Sequence, residues 1–421
     1  MKKEKDTNSN PLWTRDFTII TLGSVVSMFG NSMAGFAMSL MVLDYTGSTM
    51  LYAIYLSMYT IPQLIMPIIS GAILDRFSRK KMIYTLDFTM SVIYIIVALA
   101  IWKGLFNFPM FAVLTFFLGC ISSVYMVAYD SFYPLLITKG NYSKAYSIAS
   151  VLETLSQVMV PVATFFYNLV GIAPLMIING ICFFIAASLE MQIQTKEQYI
   201  EKQRAEITDE DLGKIARVLT DIREGFEYLV SEKGLRAIAI YFLFSAMAGG
   251  AMNVIGLPYF KSNYDYGEYI FIGIFGMSFI GRAFGGMYHY RHRLPARHKY
   301  SIALFVYVMI GIFEGAYLYL PFYIAMLLSF MVGVLGVTSY TIRISSTQSY
   351  VPDEKKGRFN GAFQVLSTSG ALVAELSAGV LSMFMGQREI VLLFEVMGVA
   401  AALILIGGNK KHVEKIYNRN M

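Results

Sequence analysis

Cysteine and histidine are scarce in this sequence, and their scarcity excludes several kinds of site. The 421 residues include only two cysteines, Cys120 and Cys182, and four histidines. Both cysteines fall inside long apolar segments, so a disulfide framework is excluded. His289 and His292 are three residues apart without an evident third ligand, which indicates a solvated loop rather than a metal site. No G-x-x-x-x-G-K-[ST] phosphate loop occurs. We therefore expect no metal, no cofactor and no enzymatic activity.

Charged residues are also few, and they are clustered. They make up 15% of the chain, against 56% hydrophobic residues. The apolar stretches between the charge clusters are 18 to 27 residues long, enough for a helix to cross about 30 Å of hydrocarbon. We predict twelve membrane-spanning helices, at residues 17–43, 51–74, 82–102, 109–130, 146–168, 171–193, 235–257, 268–288, 300–320, 322–346, 359–384 and 388–407.

The two halves of the chain repeat one pattern. GNSMAGFAMSL at 30–40 aligns with FSAMAGGAMNV at 244–254 when shifted by 214 positions. The same offset aligns Gly71 with Gly285, and ITKGNYSK with VPDEKKGR. Parallel repeats of this kind are typical of transporters whose halves move around a central substrate site. The sequence thus predicts an all-α integral membrane protein of two pseudo-symmetric six-helix bundles.

A long polar segment joins the halves and defines the predicted domains. Residues 1–193 form the N-terminal bundle, 194–234 a cytoplasmic linker, and 235–421 the C-terminal bundle. Within the linker, Thr208 and Asp211 suggest a capping box. Apolar residues then recur at helical spacing, namely Leu212, Ile215, Leu219, Ile222, Phe226 and Leu229. We expect an amphipathic helix along the cytoplasmic face.

The distribution of basic residues predicts the orientation. With twelve spans both termini lie on one side, and only three of the 34 lysines and arginines, Lys103, Lys261 and Arg388, lie in or beside the loops of the other side. Basic loops stay in the cytoplasm, so both termini are expected there, in a multi-pass protein of the cell membrane. The net charge of +6 reflects this topology, and no nucleic-acid partner is implied.

The segment GAILDRFSRK at 71–80 closes the second span and opens the third. It resembles the G-x-x-x-D-R-x-G-R-K signature of the major facilitator superfamily, and twelve spans in a six-plus-six repeat agree with that fold. Ser78 departs from the usual glycine, so the turn must avoid or tolerate a positive φ. The resemblance implies a gate that locks the outward-open state, formed by residues at this loop and an acid on the fourth helix: Gly71, Asp75, Arg76, Arg79, Lys80 and Asp130.

Several ionisable residues lie inside the predicted spans, where each costs a few kcal/mol unless it is paired or hydrated. In the resembled fold, helices 1, 4, 7 and 10 line the cavity, helices 2, 5, 8 and 11 lie beside it, and the rest pack outside. This favours Glu153 and Glu375 over Glu314 and Glu395. Glu190 and Asp87 lie near the cytoplasmic boundary, where we expect them to reach water. The proton-coupling candidates are Glu153, Glu375 and Asp87; interhelical pairing is the alternative for each.

The spans expected to line the cavity carry methionine and tyrosine rather than dense polar groups. Such walls suit bulky amphipathic molecules better than sugars or inorganic ions. Packing or lipid contact remains the alternative for each residue. The candidates are Asn31, Met38, Tyr125, Tyr129, Met247, Met252, Asn253 and Tyr340.

Within the superfamily, the loop VPDEKKGRFNGAF and its echo ITKGNYSKAYS look like the macrolide-efflux branch of drug:proton antiporters. The fifth span reads MVPVATF, keeping Pro161 but lacking the glycines of the usual antiporter signature. We expect a monomeric secondary transporter that exports amphipathic small molecules in exchange for protons. The alternatives are an importer or metabolite carrier of the same fold, and a non-transporting membrane receptor or assembly factor.

Overall fold

The computed structural model describes residues 11–74, 77–138, 141, 144–145, 148–149, 152, 155–156, 159–195, 197, 211–292 and 294–418. Over these residues it is α-helical with short connections. The helices, numbered in chain order, are α1 Arg15–Thr46, α2 Thr49–Leu74, α3 Arg79–Trp102, α4 Phe108–Phe132, α5 Met159–Val170, α6 Ile172–Glu190, α7 Asp211–Ser231, α8 Lys233–Asn263, α9 Gly267–Arg291, α10 Lys299–Ala316, α11 Phe322–Tyr350, α12 Asp353–Leu381, α13 Gln387–Ala401 and α14 Lys410–Tyr417.

Most of these helices can span a membrane. Ten helical segments among the described residues are long and apolar enough to cross one. α2 adds 26 helical residues, while α5 is the described part of the fifth predicted span. Much of the remainder of that span lies outside the described residues. The predicted all-α membrane fold is confirmed.

The repeat offset recurs in the helix positions. α4 begins at Phe108 and α11 at Phe322, which are 214 positions apart. α6 begins at Ile172 and α13 at Gln387. These starts are 215 positions apart, one residue more than the offset of 214. The duplication seen in the sequence therefore describes two copies of one helical arrangement.

The described helices form two compact units. The first comprises α1, the part of α2 from Ile65, and α3 to α6; the second comprises Thr46–Leu64 and the chain from Ala216 onward. The first fifteen or so residues of α2 thus pack with the second unit, although the rest of that helix belongs to the first. A single helix contributes to both units.

In the first unit, α3 and α6 pack closely. A Cβ on Gly180 would lie 2.9 Å from Ile95 Cγ1 and 3.1 Å from the Ser91 carbonyl oxygen, so the glycine favours this close approach of the helices. Tyr94 stacks on Phe183 with ring centroids 5.7 Å apart. This contact fixes which faces of α3 and α6 meet.

In the second unit, α7 docks onto the start of α12. A Cβ on Gly225 would lie 2.2 Å from the Arg358 carbonyl oxygen, so the two backbones touch at the glycine. Arg358 Nη1 lies 2.5 Å from Glu224 Oε2, and Leu229 is buried in a cluster with Phe359. The predicted linker helix is present, and its residues from Ala216 onward belong to the second unit.

Candidate functional site

The first part of α2 crosses α12 inside the second unit. A Cβ on Gly379 would lie only 2.4 Å from Ala53 Cβ, with Met50 Sδ 3.3 Å away. Near the end of the same contact, Gln387 Nε2 donates to Thr49 Oγ1 over 3.2 Å. Because small residues face each other here, the helices approach closely. A larger side chain at this contact would push them apart.

Glu375 lies one helical turn from Gly379 on this contact. Its side chain is 6% exposed, and its Oε2 has no hydrogen-bond partner. The Thr60 hydroxyl lies beside the carboxyl group, but it donates its proton to the Leu56 carbonyl oxygen over 3.2 Å. A hydroxyl rotates, so Thr60 can donate to a carboxylate or accept from a protonated carboxyl. Burial out of water disfavours a charge on Glu375 within the α2–α12 contact.

A polar column runs between α1 and α4 in the first unit. Ser24 Oγ and the Tyr129 hydroxyl are 2.9 Å apart, and the Tyr125 hydroxyl lies beside Ser27. Tyr125 and Tyr129 stack with ring centroids 5.9 Å apart. These contacts bring together two of the predicted cavity tyrosines and attach both to α1.

The column ends at two acids on α3 and α6. Asp87 and Glu190 face each other, and each is 1% exposed. The expectation that they reach water is therefore wrong: the close packing of α3 and α6, with α1 passing over Glu190 at Gly23, covers both. Asp87 Oδ2 and both Glu190 carboxyl oxygens accept no hydrogen bond. Both acids were named from the sequence, but the sequence did not predict that they pair.

A second acid pair joins the corresponding helices of the second unit. Glu314 on α10 faces Glu395 on α13, which is 3% exposed. Arg282 on α9 also faces Glu314. A groove of about 440 Å³ beside this pair is lined mainly by apolar side chains and by Gly311 and Gly315. Both acids were set aside because their helices were expected to pack outside the cavity, and nothing in the sequence showed that they pair.

The predicted gate loop is described in part. Gly71 lies in the last turn of α2, whereas Asp75 and Arg76 lie outside the described residues. Arg79 Nη1 donates to the Ser131 carbonyl oxygen over 3.1 Å, which brings it to α4 beside the exposed Asp130. The gate assignment stays a prediction.

Glu197, in the segment after α6, completes the described part of this loop. The Lys80 backbone N–H donates to Glu197 Oε1 over 3.2 Å, the Ser78 hydroxyl donates to Glu197 Oε2, and Lys80 Nζ donates to the Ile193 carbonyl oxygen. Ser78 itself caps α3 with a φ of −63°. The turn thus avoids the positive φ that the usual glycine would permit.

The remaining candidates occupy different environments. Among the predicted cavity residues, Met38 and Met252 are buried; Asn31, Tyr125, Tyr129 and Met247 are half-buried; Asn253 and Tyr340 are exposed. Arg343 was not singled out as a site, yet its guanidinium lies over the rings of Phe363, Phe242 and Tyr340, with centroids at 4.6, 5.1 and 5.6 Å. Glu153 lies outside the described residues. The cavity assignments stay predictions.

These features define a class of protein: an integral membrane protein built from two copies of a helical unit, with buried carboxyl groups at its helix contacts. A family model described as Major Facilitator Superfamily matches residues 20–375. The chain belongs to the Major Facilitator Superfamily.

Individual relatives are distant. The chain is 23% identical over 252 residues to YkuC of Bacillus subtilis (strain 168), described as an uncharacterized MFS-type transporter. That alignment covers 59% of this chain and 57% of the relative, so the chain matches little more than half of its length. Two crystal structures of the nucleoside transporter NupG, one of a point mutant, are similar with a TM-score of 0.64 and 14% identity, covering 93% of this chain and 98% of theirs. At that identity the likeness shows the fold alone.

Proposed function

We propose that this transporter is a proton-coupled exporter of hydrophobic or amphipathic small molecules in the cell membrane. It exchanges substrate for protons as a monomer, with both termini in the cytoplasm. The observation that carries the proposal is Glu375, a buried carboxyl group on α12 beside Thr60 of α2. Protonated Glu375 is neutral in this apolar contact, and loss of the proton leaves a charge there without water. Proton binding thereby favours the close packing of α2 and α12, and proton loss favours an arrangement in which the two helices are further apart.

The substrate class follows from the side chains on α4 and α8. The half-buried Met247 and the stacked pair Tyr125–Tyr129 supply polarizable and aromatic surface. Such surface adapts to bulky apolar molecules and offers few fixed hydrogen bonds. A drug-like or macrolide-like compound fits this chemistry better than a sugar. The nucleoside specificity of NupG is not carried over, because the likeness to it is one of fold.

The gate motif completes the mechanism. Asp75, Arg76, Arg79 and Asp130, with Gly71 and Lys80 shaping the loop, act as a latch between conformations rather than as a substrate site. The contact of Arg79 with the Ser131 carbonyl oxygen supports this role, because it ties the loop to α4.

Proton-driven flux in proteoliposomes tests the proposal. A panel of lipophilic compounds would be assayed with an imposed pH gradient, and separately for counterflow exchange without one. We expect the wild type to accumulate at least one compound under the gradient. Glu375→Gln should lose gradient-driven flux and keep counterflow, because the amide cannot exchange a proton. Glu153→Gln tests the other predicted coupling acid, and Asp75→Asn should slow both modes by weakening the latch.

Glu389→Gln, an exposed acid on α13, is the matched control and should behave as wild type. Unchanged gradient-driven flux in both Glu375→Gln and Glu153→Gln would remove these acids from coupling. Unchanged flux in Asp75→Asn at full surface expression would contradict the latch. Flux of polar metabolites alone would favour the carrier alternative, and absence of all flux would favour the receptor or assembly role.

A further inference from the structure

The acid pair in the first unit is almost fully buried. Two negative charges at this depth would need a cation or hydrogen-bond donors beside them. Asp87 and Glu190 are each 1% exposed, and Asp87 Oδ2 and both Glu190 oxygens have no donor. Two carboxylates that face each other out of water repel, and each loses its hydration. One proton between them removes one charge and turns one acceptor into a donor for the other.

None of the described groups that act on the pair is a cation. The elements packed against the pair contribute Gly23 and Ser27 from α1 and Tyr125 and Tyr129 from α4. The Tyr125 hydroxyl lies beside Glu190 and can donate to one of its oxygens, so it cannot satisfy all the carboxyl oxygens of the pair that lack a partner. Lys80, at the start of α3, donates its Nζ to the Ile193 carbonyl oxygen instead. The Glu314–Glu395 pair differs, because Arg282 faces it.

We propose that Asp87 and Glu190 together form a binding site for one exchangeable proton in the first unit, separate from Glu375 of the second. The proton lies between the two carboxyl groups and links α3 to α6. Tyr125 connects this site to Ser27 of α1, so gain or loss of the proton changes the surroundings of a helix expected to line the cavity. This proposal depends on the membrane fold and on the packing of α3 and α6. It does not depend on which substrate is transported.

Infrared spectroscopy tests this site without a transport assay. The probe is the C=O stretching band of a protonated carboxyl group, followed by pH titration and deuterium exchange on the full-length protein in liposomes. We expect the wild type to show a band that is lost as the pH rises. Asp87→Asn and Glu190→Gln should each shift that same band, because each replaces the partner of the other carboxyl group. The double variant should lack it.

Controls separate this site from other acids. Glu389→Gln should leave every buried-carboxyl band in place, and Glu375→Gln should leave the band assigned to the pair. If the double variant does not fold, the two single variants decide, since a band that neither variant shifts overturns the proposal. A wild type without a protonated-carboxyl band that responds to Asp87 or Glu190 overturns it as well. Loss of the band on adding NaCl at constant pH, but not choline chloride, would assign the site to a metal cation instead.

Discussion

At the scale of single residues, the contacts of each acid separate groups that the sequence presents as equivalent. Glu375 lies beside a helix that contributes to both units, whereas Asp87 lies against a second acid inside one unit. Periodicity shows only that each residue belongs to an apolar helix. The identity of the neighbour depends on which helix packs there and at what depth, and short-range patterns carry no such information.

Gly379 provides a residue-scale prediction for the α2–α12 contact. Its missing side chain lets Ala53 approach, since a Cβ there would lie 2.4 Å from Ala53 Cβ. Gly379→Ala should force the helices apart, destabilising the protein by about 1–3 kcal/mol, as overpacking typically does, and slowing transport. Thermal unfolding and flux measure the two effects. Gly361→Ala on the same helix is the control, because no atom lies within 4 Å of its added Cβ; equal effects of both substitutions would contradict the contact.

At the scale of elements, helix existence follows from the sequence more closely than helix docking does. The linker helix was predicted from apolar spacing, and α7 at Asp211–Ser231 confirms that a helix is present. Its docking on α12 depends on Gly225 meeting the Arg358 carbonyl oxygen. Gly225 is one of two glycines on this amphipathic helix, and the sequence gave no indication of its partner. Glycine occurs where two backbones approach closely, but it also occurs at many other kinds of position. A glycine in the sequence therefore does not identify a helix contact.

Substitution of Gly225 tests the docking. Gly225→Val would place side-chain atoms where the Arg358 backbone lies, so α7 should detach and trypsin should cleave faster at the exposed Arg223. Glu224→Gln should change cleavage little, since the Arg358–Glu224 pair is nearly half exposed and such pairs contribute about 0–1 kcal/mol. Gly357→Ala, which has open space around it, serves as the control. Cleavage of Gly225→Val at the wild-type rate would show that α7 is not held by this contact.

At the scale of the whole molecule, the family assignment and the predicted twelve spans indicate the same topology, with six spans in each half of the chain. The repeat, the motif at 71–80 and the family match over residues 20–375 agree with one another. Orientation in the membrane follows from the lysine and arginine count and stays a prediction. It is the basis for placing the linker and the gate loop in the cytoplasm.

Cysteine accessibility tests the orientation. In a background with Cys120 and Cys182 replaced by alanine, Lys103→Cys lies in the exposed connection after α3, and Arg297→Cys lies in that before α10. A membrane-impermeant maleimide should label Lys103→Cys in intact cells, and Arg297→Cys only after permeabilisation. The cysteine-free background should give no signal. The reverse pattern would invert the topology and, with it, the side on which the gate operates.

The sequence by itself indicated that the chain lies in a membrane, where most of its spans fall, that its two halves repeat, and which family it resembles. Each of these depends on composition, on the length of a segment or on a local motif. Such features can be read directly from the linear sequence. The tertiary structure decided that Asp87 meets Glu190, that Glu314 meets Glu395, that Glu197 holds the gate loop, and that part of α2 packs on α12. Side chains on helices distant in sequence become neighbours only when packing sets their relative rotation and depth, and close-packed interiors allow few such arrangements.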